Sequence, residues 1–246
     1  MPPSRVALFV TCLVDILRPR VGFAAIKLLK EAGFSVAVPN QACCGQPNLN
    51  SGDKDGARRV ALAHIAAFEG FDYVVVPSGS CGGMVKIHYQ ELFEPGTEDH
   101  RKAVDLAGRT YELTSFLADI AKAQIVRTRQ EGSATYHDAC SGLRELGVKR
   151  QPRALLKFVE GLKLVEMHEA EACCGFGGTF CVKYPEISGR IVEGKVENIV
   201  ASGADCVITG DVGCLLNIEG KLHRLGKPTP VYHVAEVLAG MTEDAT

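Results

Sequence analysis

No run of apolar residues in this chain approaches the ~18 needed to span a bilayer, so nothing in it reads as a membrane helix. No stripe or cluster of lysine and arginine suggests a nucleic acid or an anionic membrane as partner. Acids and bases are interspersed instead, and the formal net charge is −2. No leader layout opens the chain: Met1-Pro-Pro-Ser-Arg-Val runs straight into a strand-like segment, which points to the cytoplasm. A dinucleotide fingerprint is missing as well, because Gly177-Gly178 does not form a G-x-G-x-x-G turn between a strand and a helix. No side chains compose a hydrolytic or acid–base site. Oxidising a substrate needs a flavin or another hydride acceptor, for which there is no motif. These absences leave the chain without the means to begin a substrate's oxidation by itself.

What the sequence does have is cysteine, ten in 246 residues, in a chain whose 46% hydrophobic content is ample for a buried core. In the cytoplasm thiols stay reduced, so a disulfide framework is the weaker reading and metal ligation the stronger. Adjacent cysteines also pair poorly with one another, since disulfide geometry needs more separation. The doublet-plus-glycine occurs twice, as Cys43-Cys44-Gly45 and Cys173-Cys174-Gly175. Cys12 lies 31 residues before Cys43 and Cys81 lies 37 after Cys44; Cys140 lies 33 before Cys173 and Cys214 lies 40 after Cys174. Two sets of four thiols follow: Cys12, Cys43, Cys44 and Cys81, then Cys140, Cys173, Cys174 and Cys214.

The rest of the chain repeats with the cysteines. Strands are expected at 6–10, 34–38 and 72–76, and again at 133–136, 162–166 and 205–209, from short β-branched runs. Helices are expected from Pro19 to Gly33, at 53–69 and 84–93, from Pro152 to Gly161, and at 186–201. Gly70 and Gly203 each stand 11 residues before a closing cysteine, and the segments beginning at Tyr111 and Tyr232 correspond. The expected architecture is α/β, an internal duplication of two similar parallel-sheet halves, residues 1–126 and 132–246, joined through a polar stretch near 125–132. Residues 94–109 read as an exposed insertion.

In an open parallel sheet, ligands gather at the carboxyl ends of the strands. Every one of the six cysteine loops follows a predicted strand, so each half presents four thiols to one point. Four thiolates suit zinc or an iron–sulfur cluster. Structural zinc ordinarily uses short C-x2-C knuckles, and neither half has one. Widely separated loops with an adjacent pair suit a larger object, so up to two clusters of the 4Fe–4S type are preferred, with zinc as the alternative.

The motifs Phe9-Val-Thr-Cys-Leu-Val-Asp15, Ala42-Cys-Cys-Gly-Gln-Pro-Asn48, Pro77-Ser-Gly-Ser-Cys-Gly-Gly-Met84, Tyr136-His-Asp-Ala-Cys140 and Cys173-Cys-Gly-Phe-Gly-Gly-Thr-Phe180 resemble the cysteine-rich CCG family. That family includes the cysteine-rich component of heterodisulfide reductase and the glycolate oxidase iron–sulfur subunit, and the likeness is greatest to its lactate-utilising branch. The resemblance covers about residues 5–240. It implies an iron–sulfur electron-transfer subunit of an L-lactate to pyruvate oxidation system, working with other subunits that include a second iron–sulfur protein. The heterodisulfide reductase relatives close each half with C-x-x-C; here Ser78 and Asp211 stand at the first of those positions. That departure weakens a disulfide-cleaving chemistry and leaves four cysteines per half. Both residues are expected near the metal, Ser78 hydrogen-bonding a sulfur and Asp211 facing the second cluster. Cys206 reads as a core residue and Cys181 as a bystander. His137 and Asp138 suit either support of the thiols or a capping or packing role, and Arg144 and Arg153 a solvated helix face in preference to facing an anionic partner or cluster.

Overall fold

A computed structural model of the chain describes residues 3–122, 128–227 and 229–242. The β-branched runs form two four-stranded sheets of the same order. In the first half they are β1 (Arg5–Leu8), β2 (Ser35–Ala37), β3 (Tyr73–Val76) and β4 (Thr110–Glu112), arranged β2-β1-β3-β4. The second half has β5 (Arg129–His137), β6 (Glu160–Leu164), β7 (Cys206–Thr209) and β8 (Val231–His233), arranged β6-β5-β7-β8. Every pairing is parallel, with Ala7 opposite Val74 and Thr135 opposite Val207 at the two sheet centres. Parallel neighbours require crossovers, and the helices of each half supply them.

Strand alternation divides the apolar side chains between cores. Val6, Leu8 and Val75 face one cluster that also takes in Ala134, Tyr136 and Ile208 of the other sheet, so the halves share it. Ala7, Phe9, Val74 and Val76 face a cluster of the first half alone, and Val207 faces one of the second. The shared cluster is built reciprocally. Helix Pro19–Glu31 of the first half packs against Val234–Leu238 of the second, while Arg150–Leu156 packs against Leu113–Ser115. Lys27 Nζ donates to the Ala239 carbonyl at 2.7 Å, and Arg18 Nε meets Glu236 at 3.0 Å across the same seam. The helices beginning at Gly79 and Cys140 touch at their glycines. A Cβ on Gly79 would come within 2.7 Å of the Gly142 Cα, so the contact needs glycine there.

Three expectations are corrected. Residues 94–109 are not a plain exposed insertion, because Thr97 caps a helix over Glu98–Gly108 whose Ala103, Leu106 and Ala107 are buried. Those three share a helix face at i, i+3, i+4 spacing, a pattern short enough to be hidden by the polar residues around it. The polar stretch near 125–132 is strand from Arg129 on, within β5 and with a register shift between Arg129 and Gly132; residues 125–127 lie outside the described residues. Gly161 does not close the helix opened near Pro152, which ends at Leu156; it stands in β6 with a φ of 81°. Among the described residues no helix is long and apolar enough to cross a membrane.

Candidate metal centres

Each first cysteine opens a helix just past a central strand: Cys12 begins Cys12–Leu17 and Cys140 begins Cys140–Leu146. Each closing cysteine lies in the first turn of another helix, Cys81 in Gly79–Gly83 and Cys214 in Val212–Arg224. Between them the doublets end in Gly45 and Gly175, at φ of 82° and 83°, a left-handed turn that a side chain would strain. A Cβ on Gly175 would also lie 2.6 Å from the Ser188 carbonyl oxygen. That turn aims the Gly175 N–H at Cys173 Sγ, 3.2 Å away. Helix N-termini and backbone N–H groups favour thiolate over thiol.

All eight predicted thiols come together as two quartets. In the first, Cys12 and Cys44 both hydrogen-bond Cys43, and Cys44 also hydrogen-bonds Cys81. In the second, Cys140 and Cys174 hydrogen-bond Cys173, and Cys174 hydrogen-bonds Cys214. Receiving hydrogen bonds from its two neighbours holds Cys43, and likewise Cys173, well below the ordinary thiol range. Their donors, Cys12, Cys44, Cys140 and Cys174, are pushed up by that same bonding and by burial. Each quartet thus holds one easily formed negative charge, and a bound metal would displace the remaining protons. The quartets line cavities of about 220 and 260 Å³. Gln46, Ser80, Phe176, Gly178 and Asp211 line both, so the two open side by side. A set of four soft sulfurs in a cavity larger than one ion fills fits a thiolate-held metal group.

Ser78 lines the first thiol cavity and Asp211 lines both, but their side-chain oxygens are taken up in hydrogen bonds. They meet each other across the two halves, and both are buried. Ser78 Oγ donates to Asp211 Oδ2 at 2.8 Å, joined by Ser80 Oγ at 2.7 Å and the Ser80 N–H at 3.1 Å. The other oxygen, Oδ1, accepts from the Gly213 N–H at 3.0 Å and so caps the closing helix. Ser78 Oγ accepts from the Cys81 N–H at 3.3 Å rather than bonding a sulfur. Arg153 is no solvated cation either. Its guanidinium grips Asp138 at 2.8 and 2.9 Å and Glu166 at 2.6 and 2.9 Å, and lies 5.0 Å over the Tyr136 ring. Arg144 is exposed. Cys206 faces the shared core, where burial pushes its thiol up to about 11. Cys181 Sγ donates to the Gly178 carbonyl at 3.1 Å.

The residues behind the thiols were less legible. His64 accepts from the Ala42 N–H at Nε2 (3.3 Å) and meets the Tyr89 hydroxyl at Nδ1 (2.7 Å), while that hydroxyl donates to the Cys44 carbonyl (2.9 Å). With its one proton spent on the carbonyl, Tyr89 must accept from Nδ1, and because Nε2 accepts from Ala42 the ring carries that single proton and is neutral. Lys195 is buried in the second half, and Asn217 Nδ2 donates to the Cys174 carbonyl at 2.8 Å. Buried His137 places a ring nitrogen among the sulfurs of Cys174 and Cys214, all within 4.8 Å of one another. The signal for Lys195 was a lysine falling on the apolar stripe Val192, Val196, Ile199.

Comparison with known proteins agrees with this geometry. The family model described as the CCG cysteine-rich domain matches twice, over residues 6–86 and 134–219. Lactate utilization protein A 2 of Bacillus cereus (strain AH820) is 44% identical over 96% of this chain and 98% of its own length. Lactate utilization protein A of Geobacillus kaustophilus (strain HTA426) is 48% identical over 95% of this chain and 98% of its own. Among solved structures, a hypothetical protein from Helicobacter pylori shares the fold with a TM-score of 0.70 at 11% identity. It covers 99% of this chain, which spans 50% of that one. The chain belongs to the cysteine-rich CCG domain family, together with the lactate utilization A proteins of Bacillus and Geobacillus.

Proposed function

We propose that this chain is the iron–sulfur electron-transfer component of a system that oxidises L-lactate to pyruvate. The observation that carries the reading is the pair of four-thiol sets, assembled at the carboxyl ends of two parallel sheets and opening side by side. The lactate assignment rests on the relatives' names and on their near-complete coverage. Cys12, Cys43, Cys44 and Cys81 would hold one cluster of the 4Fe–4S type, and Cys140, Cys173, Cys174 and Cys214 the other. When bound, such a cluster supplies one-electron acceptance and release. The chain's own residues position the sulfurs, donate N–H groups to them, as Gly175 does to Cys173, and bury Cys44, Cys81, Cys174 and Cys214 from water. Lactate oxidation releases two electrons and two protons, and the hydride-accepting step belongs to a partner subunit. A second iron–sulfur protein in the same assembly would take the electrons onward.

The test is iron, zinc and sulfide analysis of anaerobically purified protein. The expected result is a brown protein with roughly four iron and four sulfide per site. Colourless protein with stoichiometric zinc would replace this reading with a zinc-held scaffold. The isolated chain is expected not to turn over lactate, and robust turnover would remove it from the role of relay.

A further inference from the structure

We propose that the second four-thiol site is built to sit at the higher reduction potential of the two, because His137 and Lys195 back its sulfurs where Phe9 and a neutral His64 back the first. The inference rests on the iron–sulfur reading and adds a direction to it. Phe9 and His137 occupy the same place in the duplication, three residues before the first cysteine of each quartet. Phe9 is packed by rings, its centroid 4.8 Å from His64 and 5.5 Å from Phe68. His137 is fully buried and neither ring nitrogen has a hydrogen-bond partner, which is costly unless something beside it accepts a proton. The acceptors beside it are Cys174, Cys214 and the Ala170 carbonyl, and that carbonyl already accepts from Lys195 Nζ and from the Asp138 N–H, each at 3.2 Å. His137 does not line the cavity that the four cysteines line, so it approaches their sulfurs from the sheet side, away from the open space. That position suits an N–H donated to thiolate sulfur rather than a bond to metal.

Lys195 adds charge to the same wall. It is 2% exposed, and its three donors are matched by the Glu169 carbonyl at 2.6 Å, the Ala170 carbonyl at 3.2 Å and Met167 Sδ at 3.9 Å. Those partners are neutral and no carboxylate bonds it; the acidic groups that feel its charge are Cys174 first, then Asp138 and Glu169, then Cys214, so the sulfurs share it with two carboxylates. The first half meets the corresponding loop with His64, whose hydrogen bonds require it neutral. Reduction adds negative charge to the sulfurs, and a nearby cation and an N–H donor both stabilise that charge. Electrons entering at the first site therefore leave from the second.

Redox titration followed by EPR on anaerobically purified protein tests this, with Cys44→Ser protein used to read the second site alone. His137→Phe installs the residue the first half already carries, so the fold has a precedent for it. The expected result is two distinct potentials. His137→Phe and Lys195→Met should each lower the higher one without loss of iron, and Phe9→His should raise the lower one. Weak nitrogen coupling from labelled histidine should vanish in His137→Phe, whereas strong coupling would make His137 a ligand and overturn its donor role. Iron-loaded protein with equal potentials, or with a second site that no variant moves, overturns the inference and leaves the proposed function standing. Zinc without sulfide overturns both.

Discussion

Ser78 and Asp211 stand at the same position in the two halves, three residues before the closing cysteine, and the second copy carries a charge that the first lacks. The duplication would have begun with one residue type in both places. Two carboxylates there would meet and repel, and two hydroxyls would leave the donors of Ser80 and Gly213 short of acceptors. A buried carboxylate with four donors on one side and a hydroxyl on the other satisfies both helix starts at once. Positions that were equivalent have become complementary, and the halves are no longer interchangeable. The eight thiols have stayed in register while the contacts between the halves, and the wall behind each quartet, have diverged.

The largest test of the comparison removes one copy of the site and spares the other. Cys44→Ser is expected to empty the first site and keep the second, and Cys174→Ser to do the reverse, read as iron per chain. Cys206→Ser should leave metal content unchanged; loss of a cluster from that variant would relocate the second site. Next in size is the seam itself. Asp211→Ala strands the buried Ser78 donor, two half-buried donors of Ser80 and a helix cap, so a loss of about 2–4 kcal/mol is expected in denaturant unfolding of the metal-free protein. Ser78→Asp alone should be destabilising, and adding Asp211→Ser should recover much of the loss; a double-mutant cycle without coupling would break the complementarity argument.

A smaller effect separates the halves by pH. Burial pushes His137 down to about 3 and also lowers His233, both in the second half, while the first half has one such residue, His64, which burial lowers as well. A histidine whose folded-state value is depressed is protonated first in the unfolded chain. Its contribution is therefore present above the unfolded value of about 6.5 and is lost as pH falls through the window below it, at up to about 1.4 kcal/mol per unit for each such residue. Metal-free protein should lose stability as pH falls from about 6.5 to about 5, and His137→Phe should reduce the slope by one proton. An unchanged slope would show that His137 is not the neutral buried ring the fold describes.

The cysteines, the strands that precede them and the repeat were legible because each is local: a β-branched run, then a thiol in the turn after it. The two-sheet α/β architecture followed, since alternating strands and helices leave few alternatives. What pairs across the duplication was not legible. Asp211 and Ser78 are 133 residues apart, and no spacing in either half announces their contact. Arg153 looked like an exposed cation because its helix is short and polar, yet its partners Asp138 and Glu166 lie on other segments. His137 could be read as a cap or as support for a thiol, and only its burial without a partner separates the two.

The reciprocal packing of the halves has a consequence for synthesis. A ribosome completes Val21, Ala24, Leu28 and Leu29 long before it reaches Val234–Leu238, the segment that covers them. Until then the first half carries an uncovered apolar helix beside four free thiols, in a state open to premature oxidation or association. Closure of that seam is a late event, and the first half must fold with an apolar face that only the end of the chain covers.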